Sequence, residues 1–557
     1  MSWEPITIGE ALRRTALRYP EREALVGEGQ RITFAELDRR VNELAAGLMD
    51  IGVAHGDNVA VWMTNTPCWV EVWFACARIG AVAVPVNTRF KTAEARYVLE
   101  QSEARVLVMM DRYWDIDFLG MAREMIPGMD AMTPGALRSE TLPALHSVVL
   151  WNDDPQPGTF SIGELRRRDG SGETLAQRGE LVSPDDTVII VYTSGTTGHP
   201  KGAMHSHVVL RNAANIARVM RFESGARVLG HMPFYHVAGS VTTVLPCVLM
   251  GCTLVTMPQW NAEKALELIS GERVNFFGGI PTHFIDCLSV LRERHYDTSC
   301  LRSAWIGGAP VTPDVARAAF DELRLDALQA VYGMTETTGA TVFSEFDAPM
   351  EILCDNKGKP IGEFEVEIAE PGGERRLGVN EVGEVLVRGH IVMQGYYKNP
   401  QATRDVLTGD GFFRTGDLGY FDEDGYLKVT GRVKEMFIVG GSNAYPAEIE
   451  RIIQAHEAVR QAIVVGVPDN RLGEVGFAFV ELEEDGELSA DALIRYCREN
   501  MADYKVPRHI RFADEFPRTP TGKIQRFVLA REARDLAAAG ERDRPPADTA
   551  GQRGVSR

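Results

Sequence analysis

At 557 residues the chain is too long for one hydrophobic core, so two or more domains are expected. A composition of 45% hydrophobic and 25% charged residues is ordinary for a soluble globular protein. The formal net charge of −19 argues against nucleic acid or an anionic membrane as the main partner, but leaves room for a local loop that binds an anion.

Taken in order, Thr7-Ile-Gly-Glu10 and Thr33-Phe-Ala-Glu36 fit capping boxes at helix starts. After the second, Leu37, Val41, Leu44 and Leu48 recur at helical spacing until Gly52. Strand 59–63, helix 68–79, strand 81–86, helix 92–101 and strand 106–110 follow, a βαβ alternation that predicts a parallel sheet with helices on its faces. Residues 111–180 read as irregular. Strand 187–191 then leads through a loop to helix 208–220. Alternation resumes with strand 228–232, helix 241–249, strand 253–257, helix 262–269 and strand 274–277. It closes with helix 282–291, strand 303–306, helix 313–323 and strand 327–331. From about 350 an antiparallel, Gly-punctuated segment carries strands 363–369 and 383–388. A small α+β portion from about 433 holds helix 447–456, strands 461–465 and 476–481, helix 490–500 and strand 510–512. Residues 537–557 lack periodicity and read as disordered.

The eight Cys, at 68, 76, 247, 252, 287, 300, 354 and 497, form no C-x-x-C pair. Neither a zinc site nor a disulfide framework is indicated, several lie in apolar runs as small core residues, and a reducing cytoplasm is the expected compartment. No signal peptide is expected at the N-terminus. The uncharged run 237–257 is broken by Pro246 and Gly251, so a buried helix and strand are expected there, not a membrane span.

Chemistry concentrates in a few stretches. Val191-Tyr-Thr-Ser-Gly-Thr-Thr-Gly-His-Pro-Lys-Gly202 is not a Walker A loop, because Gly195, Gly198 and Lys201 have the wrong spacing. Its Gly, Ser and Thr still offer backbone N–H groups and hydroxyls to a polyphosphate, with Lys201 as countercharge. A surface turn would explain the Gly and Pro but not Thr193, Ser194, Thr196, Thr197 and Lys201 packed after a buried strand. Ser303-Ala-Trp-Ile-Gly-Gly-Ala-Pro310 ends a strand in small residues against which a flat ring could lie, although a tight turn would read the same way. In Val331-Tyr-Gly-Met-Thr-Glu-Thr-Thr-Gly339, Tyr332 can stack on a base, Thr335 offers a hydroxyl to phosphate and Glu336 is a hard ligand for Mg²⁺. A capped helix start would use the Thr and Glu but leaves Tyr332-Gly333 unexplained. Asp424-Gly425 between Tyr420-Phe421 and Tyr426-Leu427 signals a β-hairpin.

Residues 192–202 resemble the signature loop of the adenylate-forming superfamily: acyl-CoA synthetases, peptide-synthetase adenylation domains and beetle luciferases. The resemblance covers roughly 5–530, with the main motifs in family order. It implies an adenine-binding edge at Gly308, Ala309 and Pro310, and a nucleotide role for Tyr332, Gly333, Thr335 and Glu336. In Phe413-Arg-Thr-Gly-Asp-Leu-Gly419 and Thr430-Gly-Arg432, it implies that Asp417 holds the ribose hydroxyls and Arg432 adds a donor. Lys434 matches the hinge about which a C-terminal domain rotates between half-reactions, against the plainer reading of a charged linker. Gly440 and Gly441 would let a pantetheine arm pass, although a flexible turn reads equally well there. Lys523, in Pro517-Arg-Thr-Pro-Thr-Gly-Lys523, matches the lysine that contacts carboxylate and α-phosphate during adenylation. His236, in Met232-Pro-Phe-Tyr-His-Val-Ala-Gly239, fits the carboxylate-side position and is expected to line the pocket. No Asp stands nearby to pair an amino acid's ammonium group.

The expected architecture is α/β: a large domain of βαβ subdomains with a small β-rich segment (1–432), a small mobile α+β domain (433–535) and a disordered tail (536–557). The expected activity is that of an acyl-CoA synthetase, consuming ATP with Mg²⁺ and coenzyme A, and acting on a fatty, alicyclic or aryl acid. The partners are these small molecules, with no nucleic acid and no transmembrane segment; a homodimer is left open. The rivals are a stand-alone adenylating enzyme that loads a separate carrier protein and a nucleotide-binding protein without turnover. The acyl pocket is expected at His236, Val237, Gly307, Gly308, Gly333, Met334 and residues near Ala340.

Overall fold

Helices begin where threonine can cap them. Thr7 Oγ1 accepts from Glu10 N at 3.1 Å and Thr33 Oγ1 from Glu36 N at 3.2 Å, opening helices Ile8–Arg18 and Phe34–Asp50. In the latter, Leu37, Val41, Leu44 and Leu48 are fully buried, so the helical spacing marks the face turned to the core. The structure, a computed structural model, describes residues 4–168, 172–193, 200–308, 311–439, 442–469, 471–484, 486–501, 503–518 and 524–538.

The chain divides into two compact units. The first takes the chain up to Val366 with Val387–Phe413 and Gly425–Leu427; the second takes Glu367–Leu386, Arg414–Asp424 and the chain from Lys428.

Two sheets build the first unit, and the mixed α/β class matches the expectation. One has Asn58–Trp62, Val82–Pro85, Val106–Met109 and Ser147–Leu150 as parallel neighbours. Their apolar runs are buried on both faces, as a helix-covered parallel sheet requires. The other runs parallel from Glu23–Gly27 through Thr253–Thr256, Arg227–Gly230, Phe276–Gly279 and Ser303–Gly307 to Ala327–Tyr332. The stretch 111–180 is more ordered than its sequence suggests. Ser147–Leu150 extends the first sheet, and Phe118–Met125 is a helix capped by Asp117.

One expectation is corrected. The stretch after 187–191 does not pass from strand through loop to helix. Thr187–Thr193 pairs antiparallel with Lys201–Ser206, in register Thr193↔Lys201 and Val191↔Ala203. The two strands are thus the arms of a β-hairpin, residues 194–199 between them lie outside the described residues, and the helix starts only at Val209.

The run 237–257 folds as expected into a buried helix, through Met250, and strand Thr253–Thr256. No described helix is long and apolar enough to cross a membrane. All eight cysteines are free, and all but the half-buried Cys354 are buried.

In the second unit, strands Val459–Asp469 and Gly473–Leu482 form a long antiparallel pair that His509–Phe512 joins in parallel. Ile449, Ile453, Leu493 and Cys497 from helices Pro446–Gln454 and Ala490–Asn500 contribute to one apolar cluster. Leu529 and Ala533 of helix Arg526–Ala538 contribute to another. That last helix went unread in the sequence. Its final residues, Ala537 and Ala538, are helical where disorder was expected, and the rest of the tail lies outside the described residues.

Candidate functional site

The second sheet delivers its chemistry at the carboxyl end of Ala327–Tyr332. After Tyr332 the chain enters a tight 3₁₀ turn, Thr335–Thr337. Thr337 Oγ1 accepts from Met334 N at 3.3 Å and from Thr341 Oγ1 at 2.8 Å. Asn212 Nδ2 donates to Thr338 Oγ1 and Ala340 O, both at 2.8 Å, and ties the turn to helix Val209–Val219. Gly333 has to be glycine, since a Cβ there would lie 2.5 Å from Gly339 O.

This turn holds Glu336 at 7% exposure. Its Oε1 accepts from Tyr396 Oη at 2.8 Å, and its backbone carbonyl accepts from Met393 N at 2.8 Å. Tyr396 lies on the two-residue strand Gly395–Tyr396, which pairs antiparallel with the hairpin strand Lys201–Ser206. Burial, reinforced by the Glu336 charge, pushes the Tyr396 phenol well above its ordinary range, so it stays a donor at neutral pH. Lys201 Nζ sits 5.1 Å from the centroid of the same ring. Tyr396 thus touches the candidate phosphate cation and the candidate metal ligand at once.

His205, one turn of the pleat beyond Ala203, is fully buried and hydrogen-bonds the Thr335 backbone. Burial pushes its pKa down to about 4, so it is neutral at pH 7. The hairpin arms are fixed below the tip: Thr193 Oγ1 donates to Lys201 O at 3.4 Å, Tyr97 Oη to Pro200 O at 3.1 Å, and Tyr192 Oη to Gln101 Oε1. The structure therefore brings Thr193, Lys201, Tyr332, Gly333, Thr335 and Glu336 onto adjoining elements of the first unit. Ser194, Gly195, Thr196 and Thr197 lie outside the described residues, as do Ala309, Pro310, Gly440, Gly441 and Lys523. Gly308, the residue after strand Ser303–Gly307, adopts φ +76°.

His236 caps the helix that starts at Val237, its Nδ1 accepting from Ala238 N at 3.1 Å. The segment before it is pinned by buried Asn65, which donates to Gly230 O at 3.2 Å and Met232 O at 2.9 Å and accepts from Phe234 N at 2.8 Å. Neither Asn65, Tyr396 nor His205 was singled out in the sequence. Only contacts over long sequence separations identify the first two.

In the second unit Asp417 is 4% exposed on strand Phe413–Phe421, and Arg432 Nε pairs with its Oδ1 at 2.9 Å. Asp417 N donates to Thr415 Oγ1 at 3.0 Å, and Thr415 Oγ1 donates to Val385 O at 2.7 Å, so the neighbouring strand fixes the carboxylate's backbone. Lys434 follows in the turn Val433–Glu435.

The AMP-binding enzyme family matches residues 12–397, and the AMP-binding enzyme C-terminal domain matches 448–523. The chain is 35% identical over 535 residues to the mitochondrial medium-chain acyl-CoA ligase of Homo sapiens, covering 94% of this chain and 87% of that one. It is also 35% identical over 540 residues to a methyl-dioxo-octahydroindenyl propanoyl:CoA ligase of Rhodococcus jostii, covering 96% and 100%. Among solved structures it resembles the anthranilate CoA ligase AuaEII in complex with anthranoyl-AMP, at 27% identity and TM-score 0.81, covering 96% and 98%. It also resembles a fatty acyl CoA synthetase of Mycobacterium tuberculosis, at 29% identity and TM-score 0.71, covering 94% and 98%.

Proposed function

We propose that this chain, which belongs to the AMP-binding enzyme family and is an acyl-CoA synthetase, activates a medium-length or alicyclic carboxylic acid. The overall reaction consumes ATP and CoA. A carboxylate oxygen forms a bond to the α-phosphorus and pyrophosphate leaves. The CoA sulfur then forms a bond to the acyl carbon and AMP leaves. No protein nucleophile is required, so catalysis reduces to positioning and charge neutralisation.

The observation that carries this reading is the Glu336–Tyr396–Lys201 arrangement. In it, Lys201 and the hairpin loop of Ser194, Gly195, Thr196 and Thr197 hold the β- and γ-phosphates, with Thr193 at the loop's base. Thr335 meets the α-phosphate. Tyr332, Gly333, Gly308, Ala309 and Pro310 take the adenine, and Asp417 with Arg432 takes the ribose. The donor set fits Mg²⁺. Glu336 offers one buried hard carboxylate, and the described residues hold no cluster of three His, Cys, Asp or Glu that would cage a metal without phosphate. When bound, Mg²⁺ supplies charge neutralisation to the phosphates. Lys523 stabilises the charge that develops during adenylation. Gly440 and Gly441 admit the pantetheine arm, and His236 lines the acyl pocket.

In functional terms the division is 1–432 for adenylation and 433–535 for the mobile domain, with Lys434 as pivot and 536–557 as a tail. Free, buried thiols support a cytoplasmic location. The test is AMP release with ATP, Mg²⁺ and a panel of acids, with and without CoA. AMP and thioester formed only with CoA bear out the reading. Acyl-AMP that accumulates in the presence of CoA points instead to a carrier protein as acceptor. No turnover on any acid refutes it.

A further inference from the structure

The charges that flank Lys434 continue into the fold of the second unit. Before Lys434, Arg432 is tied to buried Asp417 at 2.9 Å. After it, Glu435 ends the turn Val433–Glu435 and meets a different cation: its Oε2 lies 3.6 Å from Arg526 Nε. Arg526 opens the last helix, Arg526–Ala538. Its guanidinium is also held by buried Glu450 of helix Pro446–Gln454, whose Oε1 accepts from Nη1 at 2.8 Å and whose Oε2 accepts from Nη2 at 2.6 Å. Such a two-pronged contact fixes the plane of the guanidinium as well as its place. Glu450 is itself fixed, because its Oε1 also accepts from Val464 N at 2.7 Å, in the middle of strand Val459–Asp469. Arg526 Nη1 donates to Val464 O at 3.3 Å.

One carboxylate balances the Arg526 charge, and Glu450 already supplies it; Glu435 is a second. Desolvation, with the Glu450 and Asp417 charges, pushes the Glu435 carboxyl above its ordinary range, and Arg526 is the strongest of the charges that oppose the shift. Arg526 is thus what keeps a charged Glu435 at this place. Arg526 also lies three residues beyond Lys523. The chain on either side of 519–523 is drawn together: Arg518 and Ile524 form an antiparallel bridge, Gln525 N donates to Pro517 O at 2.8 Å, and Gln525 Nε2 donates to Arg518 O at 3.2 Å. One guanidinium therefore joins the residue after Lys434, helix Pro446–Gln454, strand Val459–Asp469 and the stem that flanks Lys523.

We propose that Arg526 is a positioning residue: by holding Glu435 it fixes the chain just past Lys434 to the body that carries Lys523. The proposal rests on the acyl-CoA synthetase reading, with Lys434 as pivot and Lys523 as the lysine of adenylation. A pivot returns a distant group to one place only if the chain is held firmly on both sides of it. Asp417 holds Arg432 before Lys434, and Arg526 holds Glu435 after it. With Glu435 released, the turn 433–435 adds its own backbone freedom to that of Lys434, and Lys523 is spread over a wider range of positions. An error of about 1 Å in placing a catalytic group costs on the order of a hundredfold in rate.

The experiment compares wild type, Glu435→Ala, Arg526→Gln and the double variant by single-turnover formation of acyl-AMP, with the KM for ATP and a thermal melt for each. Glu435→Ala isolates the contact, since it leaves the Arg526–Glu450 hydrogen bonds in place. A partly exposed pair at 3.6 Å contributes little to stability, so this variant should melt with wild type. Its rate of acyl-AMP formation should still fall by about tenfold to hundredfold, with the KM for ATP unchanged. Arg526→Gln should fall at least as far, and adding Glu435→Ala to it should cost no more, because both act through one contact. Glu435→Ala at the wild-type rate overturns the proposal and leaves Arg526 to the fold alone. A double variant whose loss is the product of the two single losses overturns it as well. A wild type that forms no acyl-AMP from any acid, or that keeps its rate in Lys523→Ala, overturns the parent reading and this proposal with it.

Discussion

Replacing Tyr396 by Phe removes one atom from the centre of the site and leaves the ring. The lost hydroxyl donates to Glu336 Oε1 at 2.8 Å, and both residues are 7% exposed. A hydrogen bond to a charged group is worth about 1.5–3 kcal/mol, so the free enzyme should lose about that much stability. The functional effect is separate. With its hydroxyl gone, the Glu336 carboxylate is no longer oriented, and loss of such an outer partner typically weakens metal binding by about 10–100-fold. The Mg²⁺ concentration that half-saturates ATP binding, read by calorimetric titration, should therefore rise by about that factor. At saturating Mg²⁺ the variant should approach wild type, because Lys201 keeps its place over the ring. Tyr396→Leu removes the ring as well. It should lose a further ~0.5–2 kcal/mol of cation–π contact and bind ATP more weakly even at saturating Mg²⁺. A Tyr396→Phe protein that melts earlier yet needs no more Mg²⁺ would show that the contact only supports the fold, and would refute the positioning role.

Lys523→Ala should slow acyl-AMP formation by about 10²–10³, the usual cost of one transition-state donor, while thioester formation from supplied acyl-adenylate persists; single-turnover kinetics separate the two. Asp417→Asn should raise the KM for ATP by about 10–100-fold, from the ~1.5–3 kcal/mol of a charge-assisted contact, with a smaller change in kcat. His205, held neutral by burial with a pKa of about 4 against an ordinary 6.5, binds its proton more readily in the unfolded chain. Its contribution is therefore fully present above pH 6.5 and is lost as pH falls towards 4. The stability gap between wild type and His205→Gln, from urea unfolding, should shift against wild type by about 3 kcal/mol across that window. A gap independent of pH would mean that His205 is not the titrating group.

What could be read from the sequence was local. The runs around Val59, Val106 and Ile189 are apolar and β-branched because both sheet faces are covered, and Thr7 and Thr33 mark helix starts because a hydroxyl must meet an orphan N–H. The residue types of the site were legible for the same reason, each carried in a short motif with its own chemistry. The hairpin strand Lys201–Ser206 was missed because Lys-Gly, a His and a Ser give it little intrinsic strand character; pairing with Thr187–Thr193 on one side and Gly395–Tyr396 on the other decides it. Tyr396 belongs to a two-residue strand with no periodicity, and its partner Glu336 lies 60 positions away. Trp305 reads as one more apolar strand residue until register sets it over a glycine. For Glu336 the motif supplies the carboxylate, and strand pairing between distant segments supplies the residue that orients it. Motif residues should therefore govern whether this chain adenylates at all, and register-placed residues such as Tyr396 how much Mg²⁺ it needs.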